Sequence, residues 1–336
     1  KKIDRQGRLH SSKSTDNSRL ILALTAMGKD VTNVGGHNLL QGLTDMKFVK
    51  KQGINGPIWA LIALDSHDYE IPAATSGADP VTRQKLIDAI LAGQLPDGGW
   101  TISGQIADAD MTGMAIQALA PYYKTQEKVR TGVDRALQVL SKLQQNDGGF
   151  YTLDPSGNPY SNSESCAQVV VALTALGLDP HTDSRFIKNG HSVLDALCSY
   201  VVEGGGFRHL TSGERNGMAT EQGYYALTAY FRLKDGKTSL YDMSDVTIQK
   251  GNQEDPTKPT DPAKPTDPSK PTDPAAPTDP AAPTDPKKPS NSGKKPSNPA
   301  TGDDSPIALY TVTLILGLLA AAALLAPQVK KKRTQK

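Results

Sequence analysis

The chain has 336 residues, 37 basic against 35 acidic side chains, 37% hydrophobic residues, 24 prolines and 2 cysteines. A charge so nearly balanced argues against electrostatic capture of nucleic acid, and two cysteines exclude a disulfide scaffold. The averages combine unlike segments: 16 of the prolines and the longest apolar run lie after residue 250, whereas the residues up to Lys250 carry 25 basic and 26 acidic side chains and suffice for one substantial core.

Within those first 250 residues, five apolar runs share an Ala-Leu pair: Ala23-Leu24, Ala63-Leu64, Ala118-Leu119, Ala172-Leu173 and Ala226-Leu227. The last three intervals are 55, 54 and 54 residues, a period that fits a repeated pair of helices. The runs are apolar nearly all round, as expected of helices enclosed by others. Between them, residues 83–92, 129–143 and 193–202 place apolar residues three or four apart with charges opposite, which predicts an outer helical layer. The connections repeat as well. Gln94, Leu95, Pro96, Asp97, Gly98, Gly99, Trp100 is echoed by Gln144, Gln145, Asn146, Asp147, Gly148, Gly149, Phe150, and more faintly by Gly205, Gly206, Phe207. Paired glycines permit positive φ at a helix end, Asp supports a tight turn, and the aromatic can cover the junction.

This QxxDGG sequence followed by Trp or Phe resembles the repeat motif of the α/α-toroid superfamily. That group includes squalene and terpene cyclases, protein prenyltransferase β subunits, and the cobalamin carriers intrinsic factor and transcobalamin. The resemblance covers roughly residues 15–243. It implies an all-α domain over residues 1–250, an α/α toroid whose inner helices surround a central cavity with functional groups at their amino ends.

Eight residues before each Ala-Leu stand Thr15, Asn55, Asp110, Glu164 and Met218. Helix capping accounts for polar groups at such positions, but Glu221, one turn further in beside Gln222, fits capping less well. Asp108, Ala109, Asp110, Met111, Thr112 is a partial version of the DXDD sequence of protonating terpene cyclases, with Met111 in place of the final Asp. The prenyltransferase resemblance would bring a zinc site of Asp, Cys and His, but the last inner helix offers no His, so no metal site is expected. Cys166 and Cys198 fit helical packing positions, and a disulfide between them is left open. The cobalamin carriers are extracellular, and their helix start is matched by Asp108, Thr112, Gly113, Met114, Ala115, Gln117, Ala118 and Leu119. That resemblance implies Asp108 and Thr112 as ligand contacts. The expected site is therefore Asp108, Asp110, Thr112, Glu164, Glu221 and Gln222, with Trp59 as a cavity wall. It is expected to bind a corrinoid-like small molecule or a glycan without catalysis. Two alternatives are an adhesin or scaffold that binds another protein, and an enzyme of the terpene cyclase or prenyltransferase type.

After this domain, proline recurs at every third position from Pro256 to Pro289. Polyproline II has three residues per turn, so residues 251–297 are expected to form a stiff spacer reaching roughly 100 Å at ~3.1 Å per residue. Residues 298–336 carry Asn298, Pro299, Ala300, Thr301, Gly302, then a charge-free stretch over 307–326, then Lys330, Lys331, Lys332 and Arg333. Twenty such residues can span a bilayer, and the basic residues favour its cytoplasmic side. The three parts in order resemble the LPXTG-type sorting signal of Gram-positive surface proteins, with Asn in place of Leu. The resemblance implies that a sortase joins Thr301 to peptidoglycan and places the protein outside the cell. Lys1, Lys2, Ile3 begins no apolar stretch, so a preceding export signal is expected.

Overall fold

The computed structural model describes residues 3–153 and 159–249, which fall within the first of the two units, residues 1–260, into which the chain divides. The expected spacer, the Thr301 joint and the 307–326 span lie outside the described residues. Among the described residues no helix is long and apolar enough to cross a membrane.

The described chain is about half helical, with few residues in strands. In order it forms α1 (Ser14–Ala26), a short α2 (Met46–Val49), α3 (Asn55–Asp65), α4 (Arg83–Ala92), α5 (Ala109–Leu119), α6 (Glu127–Leu143), α7 (Ser163–Ala175), α8 (Val193–Cys198) and α9 (Gly217–Lys234). Two antiparallel hairpins interrupt the helices: β1 (Tyr151–Leu153) with β2 (Pro159–Ser161), and β3 (Ile187–Lys188) with β4 (His191–Ser192).

The five Ala-Leu runs are α1, α3, α5, α7 and α9. Each packs on the next, α1 on α3, α3 on α5, α5 on α7 and α7 on α9. On their other side α3, α5 and α7 meet α4, α6 and α8. Burial explains the two composition patterns. In α7 twelve of thirteen residues are buried, so an apolar surface all round is what its position requires. By contrast α6 buries one stripe, with Val129, Val133, Ala136, Leu137 and Leu140 three or four apart. At about 1.5–3 kcal/mol for each large aliphatic side chain removed from water, Val169, Val170, Val171 and Leu173 make α7 the anchor of the core. Small residues set the spacing: a Cβ on Gly113 would lie 3.0 Å from the Gln168 carbonyl oxygen, so α5 approaches α7 backbone to backbone.

The repeated turns are built alike. Leu95 N–H donates to Gly99 O (2.8 Å) and Gly98 N–H to Leu95 O (2.9 Å), and Gln145, Gly149 and Gly148 repeat both bonds at the same lengths. The Gln94 amide donates to the carbonyls of Gly98 and Gly132, and the Gln144 amide to those of Gly148 and Phe186. Asp97 and Asp147 each accept from the second glycine N–H at 2.9 Å. The faint third copy is a genuine turn of the same kind, since Val202 N–H donates to Gly206 O and Gly205 N–H to Val202 O. There Gly204 replaces the Asp. All three aromatics, Trp100, Phe150 and Phe207, are buried.

One expectation needs correction, and one open point is answered. The outer helix expected over 193–202 ends at Cys198, because Val201 bridges Phe207 and Arg208 N–H donates to Tyr200 O, diverting those backbone groups from the helix. Both cysteines are free: Cys166 is buried and Cys198 exposed, so no disulfide joins them.

After α9 the chain returns as a strap over residues 237–249. Met243 N–H donates to Ser66 O and Gln249 N–H to Gly28 O, both at 2.7 Å. Arg232 braces it by donating to Thr238 O (2.9 Å) and Asp245 Oδ2 (2.8 Å). The strap therefore crosses the carboxyl ends of α1, α3 and α9.

Candidate functional site

The amino-terminal turns of all five Ala-Leu helices meet around one open cavity of about 520 Å³. Each contributes a pair of residues eight and four positions before its Ala-Leu: Thr15 and Arg19, Asn55 and Trp59, Asp110 and Met114, Glu164 and Gln168, Met218 and Gln222. Residues i and i+4 lie on one helix face, so a repeated sequence places the same face toward the cavity five times. Glu221 and Tyr225 add a second edge of α9, and Tyr160 and His209 enter from the connections on either side of α7 and α8.

Helix starts are capped from elsewhere. Asp108, Asn162 and Asn216, each ten positions before Ala-Leu, accept from Met111 N–H, Ser165 N–H and Ala219 N–H. In α5, two residues at about 100° each turn Asp108 and Thr112 roughly 200° from Asp110, whereas Asn162, the cap of α7, also lines the cavity. That offset separates two kinds of expected site residue. Asp110, Glu164, Glu221, Gln222 and Trp59 are brought together at the cavity, whereas Asp108 and Thr112 are not. Asp108 caps α5 with a 2.7 Å bond and borders another hollow, formed by the 101–107 loop. Thr112 is wholly buried; its hydroxyl accepts from Trp100 N–H (3.0 Å) and lies 3.2 Å from Trp100 O. Thr220 holds Phe207 in the same way. Thr112 is thus a latch between helix and turn.

Hydrogen bonds order the polar lining. Gln117 donates to Gln168 Oε1 (2.9 Å), and Gln168 donates to Gln222 Oε1 (3.0 Å), which also accepts from the Tyr225 hydroxyl (3.0 Å). This chain links α5, α7 and α9. Across the cavity, Gln52 Oε1 accepts from both the backbone N–H and the hydroxyl of Thr15. Glu164 Oε2 accepts from the Ser163 hydroxyl (3.0 Å) and stands 2.8 Å from His209 Nδ1. The His209 ring meets Tyr160 edge-on at 5.9 Å.

Asp110 is the electrostatic outlier. Burial, then the neighbouring Asp108 carboxylate, push its carboxyl up to about 7, with Glu164 adding repulsion and Ser165 and His209 opposing it. Burial also raises the Tyr225 hydroxyl above its ordinary value. Among the described residues, no group of three or more His, Cys, Asp or Glu is placed to hold a metal ion.

At the carboxyl ends of α3, α5 and α7 lies a second hollow of about 490 Å³, bordered by Ile62, Gln117, Val171 and strap residues including Tyr241. The Tyr241 ring stands edge-on to Trp59 with centroids 5.9 Å apart. Since Trp59 lines the first cavity and Tyr241 the second, this pair partitions them.

Sequence reading missed Arg19, Met114, Gln168, Tyr225, Tyr160 and His209. The first three share the position four before Ala-Leu, and aligning the five runs on that pair would have exposed them. Tyr160 and His209 lie in non-helical connections, where no periodicity marks them. No protein-family model matches the chain, and no curated protein matches it.

Proposed function

We propose that the chain is an extracellular, wall-attached protein whose five inner helices form an α/α toroid, and that the cavity at their amino ends binds a small ligand without catalysis. The observation that carries this reading is the convergence of two equivalent positions from all five helices on one open, ordered cavity. Amides on Asn55, Gln168 and Gln222, carboxyls on Asp110 and Glu164, and rings on Trp59 and Tyr225 suit a polar ligand with a ring face, such as a glycan or a corrinoid-like molecule.

The lining also argues against a cyclase. A protonated hydrocarbon intermediate needs apolar walls, and here His209, Glu164 and several amides would intercept it. Asp110 has the raised pKa of such an acid but lacks that environment.

The test is mass spectrometry of what the intact chain retains after incubation with glycans, corrinoids and isoprenoids. Retention by the wild type and its loss in Trp59→Ala and Met114→Trp supports the reading. Retention unaffected by either substitution places binding elsewhere and ends it.

A further inference from the structure

We infer that the cavity is built to receive a protonated amine, bridged between Asp110 and Glu164 with its carbon skeleton against the aromatic rings of the same cavity. This rests on the reading of the cavity as a ligand site and narrows the ligand class.

Two atoms carry the inference. Asp110 Oδ1 and Glu164 Oε1 are shut off from solvent and have no hydrogen-bond partner at bonding geometry among the described residues; the buried Ser165 hydroxyl, which favours the Asp110 carboxylate, is likewise unbonded. Glu164 is only 8% exposed. Its other oxygen is already engaged by Ser163 and His209, so the orphan oxygen is not a consequence of a loosely held side chain. A buried carboxylate oxygen left without a donor is costly, and such exceptions call for a missing partner. Among the cavity-lining residues, the buried side-chain atoms in this condition are these two, and both belong to carboxyl groups.

The donor count separates the candidates. A hydroxyl brings one proton and satisfies one acceptor, whereas an ammonium brings three N–H bonds and a positive charge. Charge points the same way. Asp110 faces Asp108 on its own helix, Glu164 and Ser165 from α7, His209 from the connection before α9, and Tyr225 on α9. Glu221 adds a third acid at the rim, where Arg19 is its ion partner at 4.0 Å with both side chains mostly exposed. Among the described residues no lysine lines the cavity, so none of them supplies an ammonium there. Aromatic faces at Trp59, Tyr160 and Tyr225 favour a cation with an apolar body.

The geometry gives this uptake a proton balance. When the amine arrives as R–NH3+, the Asp110 carboxyl loses its proton to solvent and the carboxylate takes up N–H bonds in exchange. With its carboxyl pushed up to about 7, Asp110 keeps a proton in part of the population near neutral pH, and that proton is released as the amine binds.

Calorimetric titration of the full chain with matched pairs tests this. The pairs are 5-amino-1-pentanol against 1,5-pentanediol, and glucosamine against glucose; they differ at one amine, and their comparison separates an alkylamine from an amino sugar. We expect the amine to bind at least tenfold more tightly in one pair or both. Titration in buffers of different ionisation enthalpy should read out the released proton. Asp110→Asn should remove the proton release and at least tenfold of the amine preference, and Glu164→Gln should remove the preference if the first variant fails to fold by circular dichroism. Equal binding of amine and hydroxyl partners, no binding by any probe at millimolar concentration, or an amine preference kept in the variants overturns the inference. Glucose binding that depends on Trp59 without amine preference would sink the amine and leave the cavity reading intact. Binding indifferent to Trp59→Ala would sink the cavity reading itself.

Discussion

Gly148 shows how a single position can hold the repeat together. Its φ is +83°, in the region that favours glycine, and a Cβ there would collide with the Ser192 carbonyl oxygen. Gly148→Ala should therefore cost about 1–3 kcal/mol, read as a lower urea midpoint with unchanged slope. Asp110 predicts a pH effect of definite sign. Its folded value of about 7 exceeds the ordinary carboxyl value of 3.8, so the folded chain binds the extra proton between those limits. Stability contributed by that site is full below about pH 4 and falls as pH rises through 7. Asp110→Asn should accordingly gain stability relative to the wild type at pH 7.5 and show little difference at pH 4, by urea unfolding at both. At this scale the sequence was half legible. Asp110 and Glu164 stood out as acids at helix starts, but Asp108 and Thr112 carry equally polar side chains on faces that only the helix phase distinguishes.

An Ala-Leu helix and its preceding turn act as one element. Thr112 is sequence-adjacent to the cavity residues yet spends both hydrogen-bonding functions on Trp100. Thr112→Val keeps the shape and strands the Trp100 N–H, so it should cost about 1–3 kcal/mol. The same variant should leave ligand affinity unchanged in a binding titration, which separates a latch from a contact. The helices themselves were readable because a 54-residue period, an Ala-Leu marker and DGG turns agree with one another. Three elements were not. The α8 end depends on a bridge to Phe207, a residue downstream; the hairpin at Tyr160 is too short to show alternation; and the strap is fixed by distant carbonyls at Gly28 and Ser66. Tertiary partners, invisible to local pattern, decide all three.

For the whole molecule, attachment and binding are separable proposals. Thr301→Ala should leave the protein extractable by detergent if Thr301 is the wall joint, and continued covalent linkage to peptidoglycan would refute that joint. Ligand retention should be the same in that variant. The strap joins the two subjects. It carries the chain from α9 to Gln249, which is bonded to Gly28 beyond the carboxyl end of α1, while Thr15 at the other end of that helix lines the cavity. Thirteen residues of helical rise, roughly 20 Å, separate the exit of the chain from the mouth. A load applied through the following residues would first reach the strap bonds at Gly28 and Ser66, then the Tyr241 ring beneath Trp59. Pulling would loosen the Trp59–Tyr241 contact between the two hollows before it disturbed the Ala-Leu helices, making that boundary the mechanical weak point of the described residues.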